Sequence, residues 1–245
     1  MNRISFLLVT ALVIFLYSCR KDDAPASQPA QNRIKTYTET VVSDVLGNFS
    51  ESFNLSYDNN NRITNMVSAS NAGNKFVFTY GSTNDFSLDI YNSNAVVIHQ
   101  DVFLNAQKQM DSTIQMNDEG DTTSEKYLYN GNLLVQTTRY WHQSGIPVID
   151  EVIDYTYDGS QNLIEEDDGS TITTFTYDSV VLNTVNIYPA YFSPAKQLPT
   201  RATYNSFGDI LVVDHTYIFD AQKRLTSDKA VLSTGDVVTK SYSYY

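Results

Sequence analysis

Cysteine is almost absent: the 245 residues contain one, Cys19. A single thiol excludes an intrachain disulfide, so packing and strand pairing must hold the chain together. Basic charge is scarce too, with 16 Lys and Arg against 28 Asp and Glu and a net charge of −12. Duplex binding needs clustered Lys and Arg to displace counterions from phosphate, so no nucleic-acid partner is expected. The same repulsion disfavours lying on anionic lipid. The three histidines, His99, His142 and His215, stand far apart in no metal-binding spacing, and neither a metal site nor a cofactor is expected. No Gly-x-Ser-x-Gly elbow marks a serine nucleophile. Beyond the first 18 residues nothing sustains a helical period.

The one long apolar run lies at the start. Arg3 precedes an uncharged stretch over residues 4–16 that is apolar but for Ser5 and Thr10, and Tyr17-Ser18 leads into Cys19. A charged start, a short apolar core and a small residue before a cut make an export signal over 1–18, too short for an ordinary transmembrane helix. Ser18-Cys19 resembles the lipobox of bacterial lipoproteins, which implies that Cys19 carries lipid and that its acyl chains are the membrane contact, at about 0.8 kcal/mol per buried methylene. Residues 19–33 then form a flexible linker, with two prolines, small residues and no hydrophobic period. Lys21-Asp22-Asp23 resembles the acidic surface-export signal of Bacteroidetes-type lipoproteins; a plain solvated charge cluster is the other reading. The expected location is the outer membrane, lipid-anchored, on the cell surface or the periplasmic face.

Residues 34–245 read as one domain built from a repeat. Six segments share an apolar residue, a turn former, four variable positions and a second apolar residue: 57–63, 80–86, 104–110, 157–163, 204–210 and 219–225. Tyr129-Asn130-Gly131-Asn132-Leu133 is a shorter variant and Tyr177-Asp178 a less regular one. Ahead of the turns the chain alternates, as in Phe53, Leu55 and Tyr57 against Asn54 and Ser56, or Ile153, Tyr155 and Tyr157. Such alternation predicts half-buried antiparallel strands, and each unit predicts a hairpin. The fold expected is all-β, an antiparallel meander of about 14–16 strands curled into an open barrel-like sheet with the tyrosine-rich face inside. Two places before the second apolar residue a left-handed backbone suits the turn. Asn61, Asn84 and Gly208 accept it easily, whereas Lys108, Gln161 and Lys223 cost about 1 kcal/mol each, so some turns should differ.

Tyr57-Asp58-Asn59-Asn60-Asn61-Arg62-Ile63, echoed by Phe219-Asp220-Ala221-Gln222-Lys223-Arg224-Leu225, resembles the tyrosine-aspartate repeat of secreted bacterial shell and adhesin proteins. With the lipobox, the chain looks more like the uncharacterised lipoprotein domains of Bacteroidetes-type bacteria that have a porin-like fold. The resemblance spans roughly residues 35–245 on a short motif. Those domains bring no established catalytic residues with them.

Two aromatic groups are candidate contacts. Residues 183–203 break the repeat, hold Pro189, Pro194 and Pro199, and gather Tyr188, Tyr191 and Phe192 on a long loop that either binds a ligand or plugs one end of the sheet. Tyr140-Trp141 precedes a loop with Gly145 and Pro147. The acidic run 165–169 lacks the alternating spacing of a calcium loop, and adjacent acids on an extended strand point to opposite faces. The function expected is a lipid-anchored envelope module that binds a glycan or protein without catalysis. A hydrolase using loop carboxylates and an integral outer-membrane barrel are the alternatives, the latter opposed by short strands with polar residues opposite the aromatics.

Overall fold

The computed structural model describes residues 33–45, 47–81, 85–178 and 197–245. Cys19, Asn84, Tyr188, Tyr191 and Phe192 lie outside them. The first strands are β1 (Ile34–Val42), β2 (Phe49–Tyr57), β3 (Ile63–Ser68), β4 (Lys75–Tyr80), β5 (Phe86–Asn92) and β6 (Ala95–Leu104). Next come β7 (Met110–Asn117), β8 (Thr122–Asn130), β9 (Leu133–Gln143), β10 (Ile146–Tyr157) and β11 (Leu163–Asp167). The last are β12 (Thr171–Thr176), β13 (Arg201–Ser206), β14 (Asp209–Phe219), β15 (Leu225–Leu232) and β16 (Val237–Tyr244). Every strand pairs antiparallel with its neighbour in sequence, and β16 returns to β1, so the sheet is a closed barrel rather than an open one.

Closure has a local cause. Ile34 faces Tyr244 with one residue bulged after it, the register by which Ile63 faces Tyr57 and Leu225 faces Phe219. Tyr245 N–H donates to Arg33 O at 3.0 Å, as Asp58 N–H donates to Arg62 O and Asp220 N–H to Arg224 O, each at 2.9 Å. The start of β1 and the end of β16 therefore pair like one more hairpin of the repeat with the middle of its turn missing. Nothing in a linear scan marks two half-motifs 200 residues apart as partners.

The turns at 58–62, 105–109, 158–162 and 220–224 gather at one end of the barrel, beside the seam. In each, the Asp or Asn accepts two backbone amides: Asp58 Oδ1 from Asn60 and Arg62, Asn105 Oδ1 from Gln107 and Gln109, Asp158 Oδ1 from Ser160 and Asn162, Asp220 Oδ1 from Gln222 and Arg224. Asn61, Lys108, Gln161 and Lys223 all adopt the left-handed backbone, with φ of 63, 60, 67 and 62°. The cost expected for Lys108, Gln161 and Lys223 does not make their turns differ. Two amide bonds at about 0.5–1.5 kcal/mol each offset a left-handed cost of about 1–2 kcal/mol. The unit at 204–210 does depart. Its strands run on to a two-residue turn at Phe207-Gly208, with Ser206 facing Asp209, at the opposite end of the barrel. Ile210, the second apolar residue of this segment, consequently points outward and is 63 % exposed.

Elsewhere the second apolar residue is buried: Ile63, Phe86, Met110, Leu163 and Leu225, joined by Ile34 and Leu134. Together they form an apolar floor inside the turn end. Tyrosines latch it, because Tyr57, Tyr80, Tyr157, Tyr177 and Tyr244 donate their hydroxyls to the carbonyls of Ile34, Ile63, Leu134, Leu163 and Leu225 at 2.7–2.9 Å. Arginines following the turns lie over several of these rings, Arg62 at 3.9 Å from the Tyr80 centroid and Arg224 at 4.4 Å from that of Tyr244. Above the floor, Tyr37, Phe53 and Phe76 pack ring on ring and fill one half of the interior. Tyr155, Leu163 and Leu134 fill the other, with Tyr127 touching both groups.

Candidate functional site

The wall alternates, and toward the other end, the mouth, its inward positions turn polar. Inward register neighbours there include Glu39 with Lys240, Lys240 with Asp228, and Glu125 with Arg139. Burial pushes Lys240 down from its ordinary range against the upward pull of Glu39 and Asp228. Asp228 also accepts from His215 Nδ1 at 3.0 Å, given the tautomer that carries a proton there.

The mouth is most elaborate where β8, β9 and β10 run side by side. Glu125, Arg139 and Glu151 face each other across three strands. Arg139 Nε donates to Glu125 Oε1 at 3.0 Å and Nη1 to Glu151 Oε2 at 2.5 Å, while the Tyr127 hydroxyl donates to Glu125 Oε2 at 2.5 Å. Sequence reasoning missed this group, although a signal existed. Glu125 reflected through the 131–132 turn lands one residue short of Arg139, and Arg139 reflected through the tip by Gly145 lands one short of Glu151; the bulges between Leu128 and Tyr129 and between Ile149 and Glu151 supply the missing residue in each case.

Beside this clamp lies a cleft of about 580 Å³ lined by Arg139, Glu151, Asp154, Asp168 and Ser170 among others. It exists because β11 is five residues long and β10 twelve, so the turn after β11 stops well below the tip of β10. Burial raises Asp168, but bonds from the Ser170 hydroxyl and the Ser170 and Thr171 amides, with the Arg139 charge, outweigh it and hold the carboxyl below its usual range. Glu166 behaves oppositely: burial alone pushes it up to about 8. The acidic run thus divides as an extended strand requires, with Glu165 and Asp167 facing the outward residues Thr174 and Ile172, and Glu166 inward beside Tyr155 and Thr173.

The two aromatics of the 140–141 pair are separated by the wall. Trp141 is on the lumen side above Arg139, facing Thr123 and Val148, and is 39 % exposed. Tyr140 points outward in line with Ser124 and Ile149. Asp178 and Gln197, the described residues on either side of 179–196, lie at the floor end, opposite Trp141; Tyr188, Tyr191 and Phe192 are outside the described residues. On the outer wall Ser124 Oγ and His142 Nε2 are 2.8 Å apart, and among the described residues no carboxylate is hydrogen-bonded to that ring. His99 Nδ1 lies 2.6 Å from Asp89, whose hydrogen bond raises the imidazole above its ordinary value. The arrangement as a whole offers charged hydrogen-bonding groups and one indole at an open mouth. Among the described residues it offers no assembled nucleophile.

No protein-family model and no curated protein matches the sequence. Solved structures do match the fold. One is the crystal structure of a porin-like protein from Bacteroides uniformis, 16 % identical, with a TM-score of 0.64 over 86 % of this chain and 98 % of that one. The fold is therefore porin-like, an all-β barrel without helices among the described residues.

Proposed function

We propose that this chain is a lipid-anchored envelope protein whose barrel stands in water and binds a glycan or another envelope protein at its mouth, without catalysis. One observation carries the reading: the core near the floor is apolar, whereas the outer wall is a mixture in which polar and charged residues interrupt the apolar ones on strand after strand. In strand β2, Phe53 and Leu55 are buried while Ser50, Ser52, Asn54 and Ser56 look outward. A bilayer barrel needs an outward apolar band on strands of about 9–11 residues. Here β3, β4, β12 and β13 have six residues and β11 five, and Lys126, Asp89 and Arg201 stand on the outer wall. Exposed apolar residues such as Ile114, Leu128, Ile172 and Ile218 do stand on the described wall, but polar or charged residues of the same strands, such as Ser112, Lys126, Thr174 and Asp214, alternate with them.

Anchoring rests on Cys19, and orientation follows from it. Ile34 starts at the floor end, so a tether from Cys19 would join the barrel at its floor and leave the mouth facing away from the membrane. Fourteen residues reach at most about 50 Å. A hydrolase is the second reading, favoured by Glu166, which stays protonated up to about pH 8 and could donate a proton inside the lumen.

The test has three arms. A chain starting near Gln31 should be monodisperse without detergent, and radiolabelled palmitate should enter the full chain but not its Cys19→Ala variant. On glycan and envelope-protein arrays, retention should fall with Trp141→Ala, while Tyr191→Ala reports on the other candidate. A need for detergent would overturn the water-exposed barrel. Turnover abolished by Glu166→Gln would move the conclusion to the hydrolase.

A further inference from the structure

The tall β9–β10 hairpin carries a feature that the mouth clamp does not use. Strand β10 meets β11 only from Asp154 to Tyr157. From Ile146 to Ile153 it is paired with β9 on one side and, among the described residues, with no strand on the other. This open edge forms a wall of the 580 Å³ cleft, lined there by Ile149, Asp150, Glu151 and Val152 and across the gap by Asp167 and Asp168. The hairpin also exposes Ile146 at 66 %, Ile149 at 61 % and Val148 at 44 %. Unused backbone groups, exposed aliphatic side chains and carboxylates thus coincide in one place.

Open edges invite indiscriminate pairing, and sheets limit it with proline, bulges and charge. All three occur here. Pro147 removes one amide, and the register shift between Ile149 and Glu151 leaves Asp150 as the extra residue of a bulge. What remains is a short edge over residues 149–153. Around it the cleft carries Asp150, Glu151, Asp154, Asp167 and Asp168 against one guanidinium, Arg139, which already bonds Glu125 and Glu151. An acidic strand would be repelled, and so would a second copy of this chain, because the edge would set its own Asp150, Glu151 and Asp154 against themselves. A basic strand meets opposite charge on both walls.

We propose that the free edge of β10 accepts an extended segment of a partner polypeptide rich in Lys or Arg, which adds as a strand and places its basic side chains among these carboxylates. The inference rests on the reading of the barrel as a binding module and names the partner class. Backbone pairing supplies the attachment, and charge supplies the selection.

Fluorescence anisotropy with the full chain in detergent tests this, using a labelled heptapeptide of alternating Lys and Val. Saturable binding is expected, at least tenfold weaker for the Glu–Val counterpart. Methylation of alternate backbone amides in the Lys peptide should also weaken it at least tenfold, because the charge survives while the strand-pairing groups are lost. Asp150→Lys combined with Asp154→Lys should weaken the unmethylated peptide comparably. If that variant does not fold, the methylated and unmethylated peptides decide the matter on the unaltered chain. Equal binding of Lys and Glu peptides, equal binding with and without methylation, or no saturable binding overturns the proposal. Glycan retention by the same preparation alongside absent peptide binding would remove this edge and leave the binding-module reading standing, whereas failure of both would remove both.

Discussion

Replacing Lys108, Gln161 and Lys223 together with glycine should raise stability, although it deletes three side chains. All three sit at φ between 60 and 67° in turns locked by an Asp or Asn that accepts two backbone amides. A left-handed backbone costs a residue with a Cβ about 1–2 kcal/mol, and glycine returns about 0.5–1 kcal/mol of that through the greater entropy of its unfolded chain. The net gain is about 0.7 kcal/mol per turn and about 2 kcal/mol for three independent turns. For a domain of this size that corresponds to about 4–8 °C in Tm. Two companion variants separate strain relief from generic loop effects. Asn61→Gly should change little, since Asn tolerates the same φ of 63°, and Gly120→Lys, at φ 87° in the like turn after Asn117, should lose about 1 kcal/mol or more. Thermal melts and urea denaturation read all of these. A triple variant that is neutral or less stable, or an Asn61→Gly gain equal to the others, would refute the strain argument.

Glu166→Gln tests the buried carboxyl. With its folded value raised from 4.5 to about 8, the folded chain holds a proton that the unfolded chain has released, so stability should fall as pH climbs from about 4.5 to 8 and level off above. The full shift corresponds to about 5 kcal/mol, but Glu166 keeps part of its surface open to the lumen, so a gain of about 2–3 kcal/mol for Gln at pH 8.5 is expected, with little at pH 5. Equal gains at both pH values in urea titrations would contradict it. The seam predicts a circular permutant: linking Tyr245 to Arg33 through Asn-Asn-Gly restores the spacing of the 57–63 turn, and new ends between Phe207 and Gly208 fall in an exposed two-residue turn. Circular dichroism should report a fold within about 1 kcal/mol of the parent, and a permutant that stays unfolded would show that the seam is no turn equivalent.

How much was legible follows from what is local. Alternation at Phe53, Leu55 and Tyr57 gave both the strand and its buried face, and the Tyr-Asp spacing gave the place where the chain reverses, because the carboxylate that caps each turn lies within four residues of the amides it accepts. Closure was not legible, since Ile34 and Tyr244 recognise each other only when fourteen strands intervene in order. The 204–210 segment was read as a unit of the repeat for a related reason: Tyr204-Asn205 looks like the motif, but Phe207-Gly208 closes a shorter turn first, at the other end. The mouth clamp needs the register of β8, β9 and β10 at once, and the free edge needs the relative heights of β10 and β11. Trp141 could be named as a candidate from its neighbours, yet its separation from Tyr140 by the sheet wall is a matter of strand parity.

Trp141 is the only tryptophan in the chain and faces the lumen, so the depth gauge is a Trp141→Phe, Ile114→Trp variant, whose single indole stands on the outer wall in line with Ser124. This full-length variant reconstituted in vesicles should show tryptophan fluorescence quenched by aqueous acrylamide and indifferent to lipids brominated along their acyl chains. Strong quenching by bromolipids, with shielding from acrylamide, would put the barrel in the bilayer and contradict an apolar-lined, water-exposed barrel held at the membrane by its tether.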